Sequence, residues 1–358
     1  MNFRHQEARE NRSAVLPAPA GIAVRDERGL TAGGEPDDVH IFNPFKNFNG
    51  GSERAALELA REIRRYSGAR VKLWRLRSHY DRRCDAEDNI HHAHPLHFPL
   101  GGTFIFIGAY WKLKPWIALT RPARVRVIIN TNDLDNFSKL RPVYHRLSTD
   151  VRYFFRCRLQ RTLYGVDGPI RPSSIDLARF APAPGDRPQD GLFRVGRISR
   201  DTIEKHHYLY DPELYCKLAQ EGFHFRILGG TCLEPLLPAR RNIELLPAGA
   251  VDAADFCRSL DCFFFRTGTF YDTFARTVFE AMASGLPVIC DRFGGYSEYI
   301  QHGRNGLLFD GQQQAMELLR EVRHNRELRL NLGAAARRTA ERMFGEEAAR
   351  SRVSELLA

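Results

Sequence analysis

Short apolar runs alternate with helical patterns through most of the chain. Several runs are apolar at nearly every position, which is typical of strands in a parallel sheet that is covered on both faces. The predicted strands are 39–42, 71–76, 104–108, 125–129, 192–198, 225–228, 243–246 and 262–265. Because strands and helices alternate in both halves, the pattern predicts an α/β protein with two doubly wound, Rossmann-like domains facing across a cleft.

Composition and length suggest how the chain is divided. At 358 residues it is long enough for two domains. Residues 1–37 mix charges with proline and glycine, which favours a disordered leader. A proline-rich linker near 181–188 separates a first domain, 38–183, from a second, 184–340. We expect 341–358 to form a helix that packs back on the surface.

The net charge and the cysteine content limit which binding partners and which cellular compartment are expected. The net charge of +10 favours an anionic partner: a nucleotide phosphate, an anionic membrane or nucleic acid. Seven scattered cysteines without a C-x-x-C pair fit neither a disulfide framework nor a zinc ribbon, so a reducing cytoplasm is expected. No run reaches the roughly 18 apolar residues of a spanning helix. The inner face of the membrane remains an alternative location.

Two segments interleave aromatic residues with cations: 111–116, bounded by Trp111 and Trp116, and 152–161, bounded by Arg152 and Arg161. One interpretation is a surface that dips into anionic lipid. Nucleic-acid binding by stacking is a second interpretation, and we expect no such partner. The third is an ordinary helix face with one side in the core. The first and third stay open.

Polar residues follow predicted strands at two places in the first half. A glycine turn containing Gly51 leads from a strand into a helix, a geometry that lets backbone N–H groups approach an anion. The alternative is an ordinary tight turn. Asn132 and Asp133 follow another strand, where ligands sit in open α/β sheets, and are candidates for the acceptor side of the cleft. For Asp133 the alternative is helix capping.

A cluster of histidines tests whether a metal is expected. His91, His92, His94 and His97 crowd one segment, but Pro95 interrupts it and no acidic or cysteine ligand recurs at fixed spacing. An exposed loop is the simpler interpretation. We therefore expect no metal and no cofactor.

The stretch 267–306 carries the main chemical signal. Asp272 and Glu280 lie eight residues apart, in a pattern of glycine-containing loop followed by helix. Such a loop can cradle a phosphate and place carboxylates against sugar hydroxyls. The simpler alternatives are a helix cap for Asp272 and an exposed helix position for Glu280.

Several stretches agree with one known family in order and spacing. They are E-A-M-A-S-G-L-P-V-I at 280–289, Gly294 and Gly295 with Glu298, N-G-L-L at 305–308, the spacing of Asp272 and Glu280, V-G-R at 195–197 with Lys205, and G-G-S-E at 50–53. With these residues the chain resembles the retaining, nucleotide-sugar-dependent glycosyltransferases of family 4, which have the GT-B fold. The resemblance covers residues 38 to 340.

The resemblance implies roles for individual residues. Arg197 and Lys205 would hold the donor diphosphate, as a planar fork and a point charge respectively. Asp272 would contact the donor sugar, and Glu280 would accept hydrogen bonds from the nucleotide ribose. The other donor-binding candidates are Gly51, Gly268, Thr269, Phe270, Thr273 and Phe274. The diphosphate would be stabilised without a metal.

The implied function is transfer of a sugar, with retention, from a nucleotide-sugar donor to a glycan or glycolipid acceptor. Envelope polysaccharide or lipopolysaccharide synthesis is the expected setting. In three places the chain departs from the family pattern: Asp272 stands where the family has Glu, Arg197 and Lys205 are eight residues apart rather than five, and Arg266-Thr267 replaces the common Pro-Ser. The first two departures motivate a nucleotide-sugar-binding protein without transfer activity as the alternative. An epimerase is a third, weaker hypothesis.

Overall fold

The computed structural model describes residues 38–86, 89–108, 114–182, 191–237, 241–269 and 271–358. The predicted leader, 1–37, the predicted boundary at 183/184, residues 111–113 of the first basic-aromatic segment, and Phe270 therefore lie outside the described residues.

The first half forms a parallel sheet around which its helices pack. The strand order is β3-β2-β1-β4-β5-β6. Its central strands β1 and β4 are buried along their whole length, which explains why most of their residues are apolar. The strands are β1 (Asp38–Phe42), β2 (Arg70–Arg75), β3 (Ile90–His92), β4 (Thr103–Ile107), β5 (Arg124–Ile128) and β6 (Asp150–Phe154).

The second half repeats the same plan. Its strand order is β12-β11-β10-β7-β8-β9, again parallel throughout the described pairs. Strands β10 and β11 are fully buried. The strands are β7 (Phe193–Ile198), β8 (Phe223–Leu228), β9 (Ile243–Leu246), β10 (Cys262–Phe265), β11 (Val288–Asp291) and β12 (Leu307–Phe309). The predicted pair of doubly wound α/β sheets is confirmed.

The α-helices of the described residues are α1 (Gly51–Ser67), α2 (Leu134–Leu147), α3 (Arg158–Tyr164), α4 (Asp211–Gln220), α5 (Ala253–Arg258), α6 (Arg276–Ala283), α7 (Gln312–His324), α8 (Arg326–Phe344) and α9 (Glu346–Leu357). Of these, α1 to α6 connect strands, whereas α7 to α9 follow the last strand, β12.

The C-terminal helix returns to the first sheet. Residues 341–358 divide between the end of α8 and α9, and α9 inserts Val353 and Leu356 into the apolar core of the first half. The fully buried guanidinium of Arg126, on β5, donates to the carbonyl of Leu356 at 2.9 Å and pairs with Asp150. The end of the chain thus contributes to the apolar core of the first half.

The strand order identifies where each sheet opens a crevice. In the first sheet the order reverses between β1 and β4, and in the second between β7 and β10. Ligands of doubly wound sheets bind outside the carboxyl ends of the strands at such reversal points. The segments that follow β1, β7 and β10 are therefore where site residues are sought.

Candidate active site

A loop between β10 and α6 presents a partly buried ion pair. The Nζ atom of Lys205 lies 2.8 Å from Oδ2 of Asp272, and the backbone N–H of Ala275 donates to Oδ1 of Asp272 at 2.9 Å. Burial alone would raise the pKa of Asp272. The Lys205 ammonium and the backbone donors outweigh burial, so this pKa lies below its ordinary value. The carboxylate is therefore charged and held in place.

Close backbone packing keeps this loop in one conformation. A Cβ atom at Gly268 would lie 2.0 Å from the carbonyl oxygen of Glu204, so only glycine fits. The N–H of Thr269 donates to the same carbonyl at 3.0 Å. Ala275 has a φ of 42°, in the left-handed region that non-glycine residues rarely adopt. Strained backbone held by its surroundings is common at functional sites.

The side chains of the other two loop candidates face inward. Phe274 is buried and stacks on Phe279 with ring centroids 4.3 Å apart, while Thr273 is 6% exposed. Their contribution to a ligand site would be through the backbone.

Arg197 lies beneath the loop, at the end of β7, and is 1% exposed. Its guanidinium donates to the carbonyls of Lys205 and Arg266, at 2.5 and 2.8 Å, and pairs with the fully buried Asp211 at 3.3 Å. The contacts observed for Arg197 thus support the backbone that carries Lys205. Its implied role as a phosphate ligand stays a prediction.

Glu280 shares a cation with an acid from the first half of the chain. Arg276, at the start of α6, places Nη2 3.4 Å from Oε1 of Glu280 and 3.0 Å from each carboxylate oxygen of Glu58 on α1. Glu280 is therefore not an exposed helix residue, being 9% exposed. Arg276 and Glu58 were not among the sequence candidates. Arg276 could have been suspected, because it lies between the two predicted acids, whereas Glu58 carries no motif.

The carboxyl edge of the first sheet is lined by amides and hydroxyls. The Oγ atom of Ser52 accepts from Nδ2 of Asn43 at 2.9 Å and from Nδ2 of Asn130 at 3.0 Å. Gly51 lies next to this group, and a Cβ atom there would be 3.4 Å from Cδ of Arg276. The structure thus brings the predicted glycine turn next to the first residue of α6.

The two acceptor-side candidates have different surroundings. Asn132 is exposed and donates to the carbonyl of Tyr271 at 3.1 Å, so it lies beside the Asp272 loop. Asp133 caps α2 and accepts from the backbone N–H of Asn136 at 3.1 Å. The capping alternative therefore describes the contact that Asp133 makes.

The second basic-aromatic segment is only partly a surface. Arg156 is 4% exposed and donates to the carbonyl of Arg171 at 3.0 Å, so it cannot take part in a membrane-facing patch. Arg152 and Arg158 are exposed. In the first segment, Trp116 stacks on Phe98. No helix of the described residues is both long and apolar enough to cross a bilayer.

The histidine cluster is a group of tilted aromatic rings, two of which pack against Trp74. The rings of His91 and His97 lie 4.9 and 5.3 Å from that of Trp74, and His92 lies 5.6 Å from His94. Within the described part of the chain, no three His, Cys, Asp or Glu side chains are placed to hold a metal ion.

Comparison with known proteins gives the same picture of fold and family. Residues 238–339 match the family model described as glycosyl transferases group 1. The chain is 32% identical over 175 residues to a GDP-mannose-dependent alpha-mannosyltransferase of Mycolicibacterium smegmatis, covering 46% of this chain and 44% of that protein. It is 33% identical over 182 residues to a D-inositol 3-phosphate glycosyltransferase of Pseudarthrobacter chlorophenolicus, covering 42% and 41%. The chain spans less than half the length of these curated relatives.

Solved structures show that the fold is GT-B. The structure of Anabaena HepE in complex with UDP-glucose superposes with a TM-score of 0.69 at 16% identity, covering 89% of this chain and 99% of that one. WaaG, a glycosyltransferase involved in lipopolysaccharide biosynthesis, superposes with a TM-score of 0.58 at 14% identity, covering 89% and 99%.

Proposed function

From the match of residues 238–339 to the glycosyl transferases group 1, we propose that the chain transfers a sugar from a nucleotide-sugar donor to an acceptor hydroxyl. The observation that carries the proposal is the pairing of Lys205 with Asp272 on a loop fixed at the reversal point of the second sheet. A cation and a carboxylate held side by side suit a donor that has both a diphosphate and a sugar.

The reaction requires stabilisation of a departing diphosphate. As the bond between the anomeric carbon and the phosphate oxygen breaks, negative charge grows on that oxygen. Lys205 would neutralise it, while Asp272 would accept hydrogen bonds from donor-sugar hydroxyls. The acceptor oxygen would form the new glycosidic bond on the same face, and the leaving phosphate would take its proton, giving retention.

The acceptor would bind at the edge of the first sheet. Oδ1 of Asn130 and Oγ1 of Thr131 are buried and have no hydrogen-bond partner among the described residues. A buried acceptor without a partner costs on the order of 1–3 kcal/mol, which a hydroxyl-rich ligand could relieve. We therefore propose a glycan or glycolipid acceptor, in envelope polysaccharide synthesis.

A donor screen followed by a turnover assay tests the proposal. Thermal shift with UDP-glucose, GDP-mannose and other nucleotide sugars should identify a stabilising donor. Release of the nucleotide in the presence of glycan acceptors should then depend on Asp272. Asp272→Asn should lower turnover by about a hundredfold or more, while Asp255→Asn, an exposed position on α5, serves as the control. If no nucleotide sugar binds, the proposal is wrong.

A second candidate is a nucleotide-sugar-binding protein without transfer activity. The burial of Arg197 favours it, because a phosphate-binding fork is then absent from the cleft in the described conformation. Stabilisation by a nucleotide sugar without nucleotide release, across a panel of acceptors, would support this candidate against the first.

We also propose that the first domain contacts an anionic membrane. Arg152 and Arg158 are exposed, and Leu159 and Leu163 are 42% and 50% exposed beside them in sequence. Exposed leucines flanked by cations suit the interface of an anionic bilayer. The double variant Arg152→Glu, Arg158→Glu should sediment less with phosphatidylglycerol vesicles, whereas Arg350→Glu, on α9, should not change. Equal sedimentation of all three proteins would contradict a membrane contact.

A further inference from the structure

The contact between Glu58, Arg276 and Glu280 joins the two halves of the chain at the candidate donor site. Glu58 comes from α1 of the first half, whereas Arg276 and Glu280 come from α6 of the second. Arg276 also donates through Nη1 to the carbonyl of Ser174 at 2.7 Å. The guanidinium is therefore held by the protein on two sides, and only part of its hydrogen-bonding capacity is directed at Glu280.

The distances rank the two acids as partners of Arg276. Both oxygens of Glu58 lie 3.0 Å from Nη2, whereas the nearer oxygen of Glu280 lies at 3.4 Å. Charge-assisted hydrogen bonds strengthen as they shorten, so Glu58 is the stronger partner. Arg276 is the only recorded hydrogen-bond partner of the Glu280 side chain among the described residues. Glu280 thus keeps lone pairs with which it can accept further hydrogen bonds.

This inference rests on the proposed function, in which Glu280 accepts hydrogen bonds from the donor ribose. We propose that Glu58 is a positioning residue for donor recognition. By holding Arg276, it prevents the guanidinium from turning fully onto Glu280 and occupying the oxygens that the ribose hydroxyls need. The first half of the chain thereby helps to set the donor affinity of the second.

The protonation state of Glu58 should control this contact. Burial raises the pKa of Glu58 to about 7, against the opposing effect of the Arg276 charge. The charged groups that face it are Arg276 and Glu280 on α6, Glu62 on its own helix, and Arg179, whose pKa Glu58 helps to raise. When Glu58 is protonated, Arg276 loses its stronger partner and shifts toward Glu280. Donor affinity should therefore fall as the pH drops below about 7.

The chain offers a closely matched control. Glu62 lies one turn further along α1, accepts from the hydroxyl of Ser174 at 2.7 Å and lies 3.5 Å from Arg352. It therefore also ties α1 to later parts of the chain, and the described residues link it to Arg276 through Ser174 and not by a direct hydrogen bond. A variant of Glu62 reports the general cost of removing a partly buried α1 carboxylate.

The test measures the donor KM and kcat of wild type, Glu58→Gln and Glu62→Gln between pH 6 and 8.5, with UDP-glucose and GDP-mannose as probes. Nucleotide sugars suit this test because their diphosphate has no proton that titrates in this range. Wild type should bind the donor more tightly as the pH rises through about 7. At pH 8, Glu58→Gln should raise the donor KM about tenfold with little change in kcat, and the pH dependence should disappear. Glu62→Gln should keep a pH dependence, with its midpoint moved to lower pH because the Glu62 charge helps to raise the pKa of Glu58.

Two outcomes would overturn the inference. One is a Glu58→Gln variant with the KM and pH profile of wild type; the other is a Glu62→Gln variant that loses the pH dependence equally. If Glu58→Gln does not fold, Glu58→Asp keeps the charge and should keep the pH dependence, and a flat profile in wild type and Glu58→Asp would then refute the inference. Failure of wild type to bind any nucleotide sugar would refute the proposed function itself, whereas binding that is indifferent to Glu58 refutes the inference alone.

Discussion

The carboxyl edges of the two sheets differ in charge although the sheets have the same strand plan. At the second-sheet edge, Lys205 pairs with Asp272, and the buried guanidinium of Arg197 donates to the backbone carbonyl of Lys205. At the first-sheet edge, Asn130 donates to Ser52 within a neutral network of amides and hydroxyls. The same strand plan can therefore present either ionic or neutral groups at the carboxyl edge of its sheet.

The difference in charge indicates which substrate each edge would bind. Lys205 and Asp272 are already held in position by their partners, so they could contact a diphosphate donor without large rearrangement. Such preorganisation is the condition for stabilising charge that develops in a reaction. Neutral amides and hydroxyls can form hydrogen bonds with the hydroxyls of a glycan. A site of this kind distinguishes one substrate from another by whether each of its polar groups finds a hydrogen-bond partner. Lys205 and Asp272 follow β7 and β10, which flank the reversal point of the second sheet. Ser52 follows β1 at the reversal point of the first, whereas Asn130 follows β5, the strand beyond β4.

Removal of the cation from the second-sheet edge should have the largest effect. Lys205→Ala should lower kcat/KM by about a hundred- to a thousandfold, because the diphosphate loses its neutralising charge and Asp272 is left without its partner. The control is Lys217→Ala, on α4, whose ammonium pairs with Glu213 at the surface. Steady-state kinetics over a range of donor concentrations would measure both. Turnover of Lys205→Ala at the wild-type rate would refute the ionic role of this edge.

A variant at the first-sheet edge should affect the acceptor and leave the donor unchanged. Ser52→Ala removes the oxygen that accepts from Asn43 and Asn130, so the acceptor KM should rise about tenfold while the donor KM stays constant. Ser67→Ala, at the other end of α1, is the matched control, since its hydroxyl bonds to nearby backbone: it donates to the carbonyl of Ile63 and accepts from the N–H of Ala69. A change in the donor KM alone would reverse the proposed division between the two edges.

The pH dependence of the free energy of unfolding should test the state of Glu58, whose contact with Arg276 joins the two halves of the chain. In the folded protein the pKa of Glu58 is raised from 4.5 to about 7. The folded state therefore binds more protons than the unfolded chain in this window, so the contribution of Glu58 to stability is present below the unfolded pKa and is lost as the pH rises through about 7. Urea unfolding of wild type and Glu58→Gln at pH 5 and 8 should show wild type losing more stability with rising pH. Parallel losses would contradict the raised pKa.

The smallest effect is expected at Ala275, where the backbone of the loop between β10 and α6 is strained. Ala275→Gly relieves a φ of 42° and should stabilise the fold by about 0.5–1 kcal/mol, because glycine adopts this conformation without a Cβ clash. Ala283→Gly, within α6, should instead destabilise it by about 1 kcal/mol. Thermal unfolding followed by circular dichroism would compare the two. A destabilised Ala275→Gly variant would show that the methyl group packs usefully in the loop.

Local sequence was enough to predict the two sheets and the loop between β10 and α6 that carries Asp272. The unbroken apolar runs at β4 and β10 predict buried parallel strands, because no other element buries both faces of so short a segment. The position of Asp272 after a glycine-containing turn also marked the loop. The partner of that acid was not predictable in the same way, since Lys205 reaches it through a three-residue helical turn, Ile203–Lys205, from 67 residues away.

The sequence by itself thus determined the fold class, the family signature and the identity of the two acids, since all three are written in short-range periodicity and spacing. Only the tertiary structure decided which charges meet. It buried Arg197 and Arg156, brought Glu58 to Arg276 across 218 residues, and joined α9 to the first core. The physical reason is that burial and pairing depend on distances between segments, and these follow from how the two sheets pack rather than from the order of residues within either one.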